Sequence, residues 1–153
     1  SKNIIDYVKQ NEDDLWQATN IGLLKTNGIE SDILIKLSRN INFKFGYAYI
    51  NDDNYFSNIK FSRYSLNSLK YNFISRASLK YSKKLTHNII FRYSERSDLT
   101  NYRIVDTNIS FKPFSNNAEF YLNLNNIFDQ YYWETNLVPM PGKNFIIGYR
   151  SSF

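Results

Sequence analysis

Hydrophobic and polar residues alternate along most of this chain, in runs of about ten residues. The run from Ile41 to Tyr49 is the clearest, with apolar Ile41, Phe43, Phe45, Tyr47 and Tyr49 alternating with Asn42, Lys44, Gly46 and Ala48. Side chains of a β-strand point alternately to opposite faces of the sheet. Each run therefore predicts a strand with one apolar face and one polar or small face.

The pattern predicts about eight such strands in an all-β chain. They are expected at 3–9, 16–37, 41–51, 69–81, 85–94, 102–112, 118–125 and 143–153. Short turns are expected at 38–40, 82–84 and 113–117, and longer loops follow Lys9, Asn51, Ser94 and Phe128. This alternation of short and long connections is typical of antiparallel strands in an outer-membrane barrel.

The strand length also fits a membrane. A tilted strand needs about 9–11 residues to cross a bilayer, whereas a helix needs about 18 or more consecutive apolar residues, which this chain lacks. A closed barrel is the other structure that satisfies every backbone hydrogen bond in lipid. A transmembrane β-barrel is therefore the predicted fold class.

The composition supports an interfacial protein. Aromatic residues make up 18% of the chain, with 13 Tyr and 12 Phe, yet the mean hydropathy is -0.50. The net charge of +5 would also suit a basic β-sandwich that binds nucleic acid. Most charged residues of the strands lie on the polar parity, however, as expected for a wall that faces lipid. They include Lys36, Lys44, Lys70, Arg76, Lys80, Arg92, Lys112 and Arg150, with Glu30, Asp32, Asp106 and Glu119. We therefore expect no nucleic-acid partner.

The absence of cysteine excludes disulfides and thiolate metal sites.

Several segments together resemble the C-terminal part of TonB-dependent outer-membrane receptors. They are residues 3–8 (NIIDYV), 20–22 with 27–30 (NIG and NGIE), 123–129 with Tyr131 and Tyr132 (NLNNIFD and YY), 141–143 (PGK) and the terminal Phe153. The resemblance implies a barrel of about 22 strands closed by an N-terminal plug. It also implies that residues 1–153 supply about eight of those strands, with the plug and the earlier strands outside this chain.

The resemblance further implies a bacterial outer-membrane location and a transport role. Its expected partners are outer-membrane lipid, the plug, the remaining strands, the TonB energy transducer acting through the plug, and a large scarce nutrient such as a ferric siderophore or cobalamin. No enzyme activity or cofactor is expected. The alternative is a complete eight-stranded barrel that serves as a structural anchor or adhesin. Its narrow interior would be poorly filled by Gly46, Ala48, Ser78 and Gly148.

Two groups of candidate site residues follow. At the outer mouth, aromatic and arginine side chains suit stacking on a bulky chelate. These ligand candidates are Arg63, Tyr64, Arg96, Tyr131, Tyr132 and Trp133, which could equally form an aromatic girdle or pack loop against loop. Along the lumen, the residues expected to face the plug are Glu30, Asp32, Arg76 and Arg92.

Catalytic and metal-binding roles are not expected. Glu30 and Asp32 share one face and could form a metal or acid–base pair, but pairing with plug arginines is favoured. His87, the only histidine, shares its parity with Leu85 and Ile89 and is expected to face outward near the short-turn rim.

Overall fold

The computed structural model describes residues 2–54, 61–62, 69–96, 101–113, 118–135 and 138–151. Its strands are β1 (Lys2–Lys9), β2 (Gln17–Lys36), β3 (Ile41–Asn54), β4 (Phe61–Ser62), β5 (Leu69–Lys80), β6 (Leu85–Arg96), β7 (Tyr102–Phe111), β8 (Ala118–Asn125), β9 (Trp133–Thr135), β10 (Val138–Pro139) and β11 (Asn144–Ser151). Within these ranges, no helix has the length and apolar character needed to cross a membrane.

The strands form an antiparallel sheet in the order β11-β8-β7-β6-β5-β3-β2-β1-β4. The predicted strands are confirmed within a few residues of their expected ends. Two elements were missed. β4 lies in the polar stretch after β3, and a β9–β10 hairpin lies within the segment predicted as a loop before the last strand. The predicted antiparallel barrel segment is confirmed as a fold class, and the described strands form an open ladder with β11 and β4 at its ends.

The strand register separates the side chains into two faces. One row of directly opposed residues crosses the sheet as Ile35, Phe43, Ala77, Ile89, Thr107, Leu124 and Phe145. The neighbouring row runs through Lys36, Asn42, Ser78, Asn88, Asn108 and Asn123. Because adjacent rows point to opposite sides, the sheet has an apolar face and a polar face.

The apolar face is not covered by another part of the described chain. Ile147 is 73% exposed and Ile29 is 66% exposed, while Phe43, Phe73 and Leu122 are only partly buried. Among the described residues, the buried hydrophobic side chains are Val8, Tyr102, Ile104 and Tyr132, none of which belongs to this face's rows. A continuous apolar surface of this kind needs a partner or a lipid environment.

The height of the apolar face matches a bilayer. From Ile41 to Tyr49 the apolar rows span about 27 Å along β3, or about 21 Å at a tilt of about 40°. Polar groups mark its end near the long loops, where the Tyr93 hydroxyl donates to Glu95 at 3.0 Å and Arg103 lies 5.8 Å from the Tyr93 ring. Tyrosine with charged neighbours is typical of a membrane–water boundary.

Candidate binding site on the polar face

The polar face carries an ion-pair network on β6 and β7. Arg92 Nη2 donates to Asp106 Oδ2 at 2.9 Å, and Arg92 Nη1 lies 3.8 Å from Glu134 Oε1. The Tyr102 hydroxyl donates to the same Glu134 oxygen at 3.2 Å. The network therefore joins two neighbouring strands to Glu134 of β9, which lies far along the chain.

This network lies beneath a small aromatic cluster. Tyr102, Ile104 and Tyr132 are buried together, the two tyrosine rings lie 4.5 Å apart, and Met140 packs against them. Burial raises the pKa of the Tyr132 phenol above its ordinary value, although the positive charge of Arg92 acts in the opposite direction. Tyr132, in the connection between β8 and β11, is therefore a neutral side chain at physiological pH. The cluster holds this connection against the polar face of β7.

The connection begins with a fixed turn at Asn126. Asn126 is 3% exposed and has a φ of 49°, a left-handed conformation that asparagine tolerates better than most residues. Its backbone N–H donates to Asp106 Oδ1 at 2.8 Å, which links the turn to the ion-pair network. Its side chain accepts from the Gln130 N–H at 2.9 Å and donates to the carbonyls of Gln130 and Pro141. One side chain thus joins both ends of the connection.

Asp129 also joins the two ends of this connection. Its φ is 54°, and its Oδ1 accepts the backbone N–H of Lys143 at 2.6 Å. A Cβ added at Gly142 would lie 2.7 Å from that carboxylate oxygen, so this close approach favours glycine. The segments 123–129 and 141–143, which were linked only through a family resemblance in the sequence, are therefore in direct contact.

The predicted mouth residues differ in their exposure. Tyr131 is 67% exposed and meets Trp133 edge to face with ring centroids 4.6 Å apart, whereas Tyr132 is 5% exposed within the cluster described above. Arg96 lies at the end of β6, opposite Leu69. Arg63 and Tyr64 lie outside the described residues. Among the described members of the set, Tyr131 thus offers the exposed aromatic surface, and the partly buried Trp133 packs against it.

The predicted lumen residues all lie on strands, but in different surroundings. Glu30 and Asp32 line a cavity of about 370 Å³ together with Gly46, Ala48, Asn72 and Ile74 on the polar face. Asp32 lies 3.8 Å from Lys44 in an exposed ion pair.

The two predicted arginines are separated within the polar face. Arg76 is exposed between Lys44 and Ile90 in the register, whereas Arg92 is engaged by carboxylates of its own chain. The plug-facing role of all four residues stays a prediction.

A row of amides crosses the polar face below the ion-pair network. Asn88 Nδ2 donates to Asn108 Oδ1 at 3.1 Å, and Asn108 Nδ2 donates to Asn123 Oδ1 at 2.6 Å. Asn125 Nδ2 continues the pattern by donating to Asn144 Oδ1 at 2.8 Å. These amides are neutral and hydrogen-bond to one another, so this part of the polar face carries no charge.

His87 takes part in a different set of contacts. Its Nε2 lies 2.6 Å from Thr107 Oγ1, and its Nδ1 lies 3.3 Å from the Tyr81 hydroxyl. Thr107 belongs to the rows of the apolar face, so the histidine lies on that face as its parity predicted. Within the described ranges, no group of three or more His, Asp and Glu side chains is arranged to hold a metal ion.

Sequence reasoning did not identify Glu134, Asp106 or Asn126 as partners. The sequence does not link Asp106 with Glu134, because 28 positions separate them. Only the fold brings both carboxylates to Arg92. The signal for Asn126 was present, because it lies within the 123–129 segment used for the family resemblance. An asparagine in a predicted turn is a candidate for a left-handed conformation.

Solved structures share this fold. The iron transporter FrpB from Neisseria meningitidis superposes with a TM-score of 0.74 and 16% identity, over 99% of this chain and 27% of that one. The siderophore receptor PiuA from Acinetobacter baumannii gives a TM-score of 0.68 and 17% identity, over 88% and 22%. The pyoverdine outer-membrane receptor FpvA from Pseudomonas aeruginosa, bound to pyoverdine, gives 0.67 and 18%, over 99% and 26%.

These likenesses establish the class of fold. The chain has the fold of part of the wall of an outer-membrane receptor barrel, and the barrels it resembles are TonB-dependent receptors. It spans about a quarter of the length of the receptors to which it is similar. No protein-family model matches the sequence, and no curated protein is significantly similar to it.

Proposed function

We propose that this chain forms part of the wall of a TonB-dependent receptor that imports a large, scarce nutrient across the bacterial outer membrane. The observation that carries the proposal is the two-faced sheet, whose uncovered apolar face is about as tall as a bilayer while its other face is polar. The similarity in fold to iron and siderophore receptors supports a metal chelate, such as a ferric siderophore, as the nutrient class. Cobalamin belongs to the same class of bulky ligand.

The remaining partners follow from this role. The apolar face contacts outer-membrane lipid, and the polar face contacts a plug domain and the water-filled bore. The other strands complete the barrel, and the energy transducer TonB acts on the plug. Glu30, Asp32, Arg76 and Arg92 are the residues of this chain that we place toward the plug. In this role the chain catalyses no reaction and supplies strands of the barrel wall and their loops.

The alternative of a self-contained small barrel receives less support. Such a barrel would require the two ends of the ladder to pair, whereas β11 and β4 are edge strands of an open ladder within the described residues. This chain also spans only about a quarter of the length of the receptors that it resembles, which supports a segment of a longer protein.

We place ligand contact at the outer mouth, on the six residues Arg63, Tyr64, Arg96, Tyr131, Tyr132 and Trp133. Tyr131 contributes an exposed aromatic face on which a planar chelating group can stack, and the partly buried Trp133 supports it edge to face. Tyr132, which is nearly fully buried, contributes by holding its two neighbours in position.

Uptake by the intact receptor tests this assignment. The variants Tyr131→Ala and Trp133→Ala are expected to lower uptake of the labelled nutrient while the amount of receptor at the cell surface stays unchanged. Tyr81→Ala is the matched control, because Tyr81 is 62% exposed but lies next to His87 near a short turn. Uptake that stays normal in both test variants would remove the aromatic pair from the ligand site.

A further inference from the structure

A basic cavity lies where the short turns meet the polar face. It has a volume of about 430 Å³ and is lined by Arg39, Asn40, Lys80, Ser82, Lys83, Lys84, Thr86, Ser110 and Lys112. Five of these side chains are cationic, and none is a carboxylate. Thr86 and Ser110 are directly opposed in the register of β6 and β7, on the same parity as the amide row, so the cavity opens on the polar face.

Two turns of the same construction fix the backbone that carries three of the cations. Ser38 Oγ accepts the backbone N–H groups of Asn40 and Ile41, each at 3.1 Å. Ser82 Oγ accepts those of Lys84 and Leu85 at the same distance. Each serine therefore fixes a turn that presents basic residues, Arg39 in the first and Lys83 with Lys84 in the second.

Backbone hydrogen bonds also connect these turns to their neighbours. The Lys80 N–H donates to the Asn40 carbonyl at 2.8 Å, and the Lys112 N–H donates to the Lys84 carbonyl at 2.8 Å. The backbone beneath the five cations is thus one continuous hydrogen-bonded edge. Such an arrangement reduces the entropy that a binding partner would have to overcome.

The positive charge of this cavity is not neutralised within the described part of the chain. The ion pairs found there involve Lys44, Lys70, Arg92 and Arg150. Glu119 is the acid associated with a lining residue, because it accepts a hydrogen bond from Ser110, but it also pairs with Arg150 at 3.9 Å. Clustered like charges repel each other, which favours binding of an anionic partner.

We infer that this basic cavity binds an acidic polypeptide segment of the same receptor, lying inside the bore at the short-turn rim. The inference rests on the proposed function, which turns the polar face toward the bore and the apolar face toward lipid. A phospholipid head group would reach the apolar face, whereas a chain inside the bore reaches the cavity. Separate lysine ammonium groups, with serine and asparagine beside them, suit the carboxylates of Asp and Glu side chains.

A carbodiimide cross-linking experiment tests the partner directly. The reagent joins a lysine amine to a carboxylate in contact with it, and peptide mass spectrometry of the intact, purified receptor identifies both residues. We expect Lys80, Lys84 or Lys112 to be joined to an Asp or Glu of the same polypeptide outside this chain. The link should be lost at 1 M salt, where the Debye length falls to about 3 Å.

The same cross-linked sample contains two internal controls. Lys70 lies 3.4 Å from Glu95 and should be linked to it, which reports that the reagent reached the folded receptor. Lys143 lies outside the basic cavity and should give no such link. Formation of the Lys70–Glu95 link without any link from the cavity lysines to the same receptor would overturn the inference, as would links from them to another protein only.

The sign of a stability change gives a second, independent test. If the five cations face no acidic segment, the double variant Lys80→Gln, Lys112→Gln relieves repulsion and raises the temperature at which the intact receptor loses its folded mobility in a detergent gel. If the segment is bound, the same variant lowers that temperature, and Lys143→Gln leaves it unchanged. A rise in the double variant refutes the inference. Because neither experiment measures uptake, a negative result here stays separate from a failure of the proposed transport function.

Discussion

Replacing Arg92 with methionine should release the β8–β11 connection, residues 126–143, from the polar face of the sheet. Arg92 is the cation between Asp106 and Glu134, and the Asp106 side chain is only 14% exposed. Without Arg92, two carboxylates remain close together with no positive charge between them. Methionine keeps much of the aliphatic length, so the change mainly removes charge and hydrogen bonds.

The size of the effect follows from the burial of the network. Leaving a buried polar group without its hydrogen-bond partner costs about 1–3 kcal/mol, and more for a fully buried charge. The Arg92 side chain is 33% exposed, so solvent screening favours the lower part of this range, about 1–2 kcal/mol. That loss corresponds to about a 5- to 30-fold increase in the population of locally opened molecules.

Hydrogen exchange measured on the intact receptor in detergent reads this opening residue by residue. The reporters are the backbone N–H groups of Ile127, Gln130 and Met140, which donate within the connection or from it to β7. Their exchange should accelerate about 5- to 30-fold in Arg92→Met. Amides in the β5–β6 ladder should exchange as in the unmodified protein.

Lys70→Met is the matched control. It removes the Lys70–Glu95 pair, whose lysine side chain is 46% exposed, and surface pairs of this kind contribute about 0–1 kcal/mol. Exchange within residues 126–143 should not change in this variant. Unchanged exchange of the three reporters in Arg92→Met, or equal acceleration throughout the sheet, would refute the role assigned to the network.

Three further predictions concern the connection, the last strand and the two faces. Asn126→Gly should retain the left-handed backbone but lose the side-chain bonds to Gln130 and Pro141, so proteolysis between residues 130 and 143 should become faster; unchanged cleavage would contradict the role of the side chain. Gly148→Ala should destabilise the folded protein by about 1–3 kcal/mol in denaturant unfolding, because the new Cβ would overlap the ring of Tyr121, its partner across β8 and β11. The double variant Gly148→Ala, Tyr121→Ala should recover part of that loss, and no recovery would contradict the clash. Phe45→Lys should destabilise the membrane-inserted protein by about 2–4 kcal/mol, whereas Ala48→Lys on the polar face should have a much smaller effect; equal losses in lipid would contradict the assignment of the faces.

The strands were predicted well because a single two-residue periodicity determines both the strand and its two faces. From Ile41 to Tyr49 of β3 every second residue is apolar, so this part of the strand and its two faces follow from the pattern alone. The short turns were also visible, since Ser38, Asn40 and Ser82 are residue types that favour a turn.

The contacts of the candidate site could not be derived in the same way. The Arg92–Glu134 pair depends on how a connection folds back over β7, and no local periodicity describes that path. The burial of Tyr132 between exposed Tyr131 and partly buried Trp133 depends on the same path, because three adjacent aromatic residues give no sequence signal for which of them is buried. The hairpin of Trp133–Thr135 with Val138–Pro139 was missed because both strands are too short to show alternation.

Accessibility of spin labels along β3 tests the orientation of the sheet most directly. Single cysteines at successive positions from Ile41 to Tyr49 would carry a nitroxide in the intact receptor, reconstituted in a lipid bilayer. We predict that collision with oxygen, which concentrates in lipid, is high at Phe43, Phe45 and Tyr47. Collision with a water-soluble nickel chelate should instead be higher at Lys44, Gly46 and Ala48. A profile without this two-residue period, or with the apolar positions open to the nickel chelate, would contradict a lipid-facing wall.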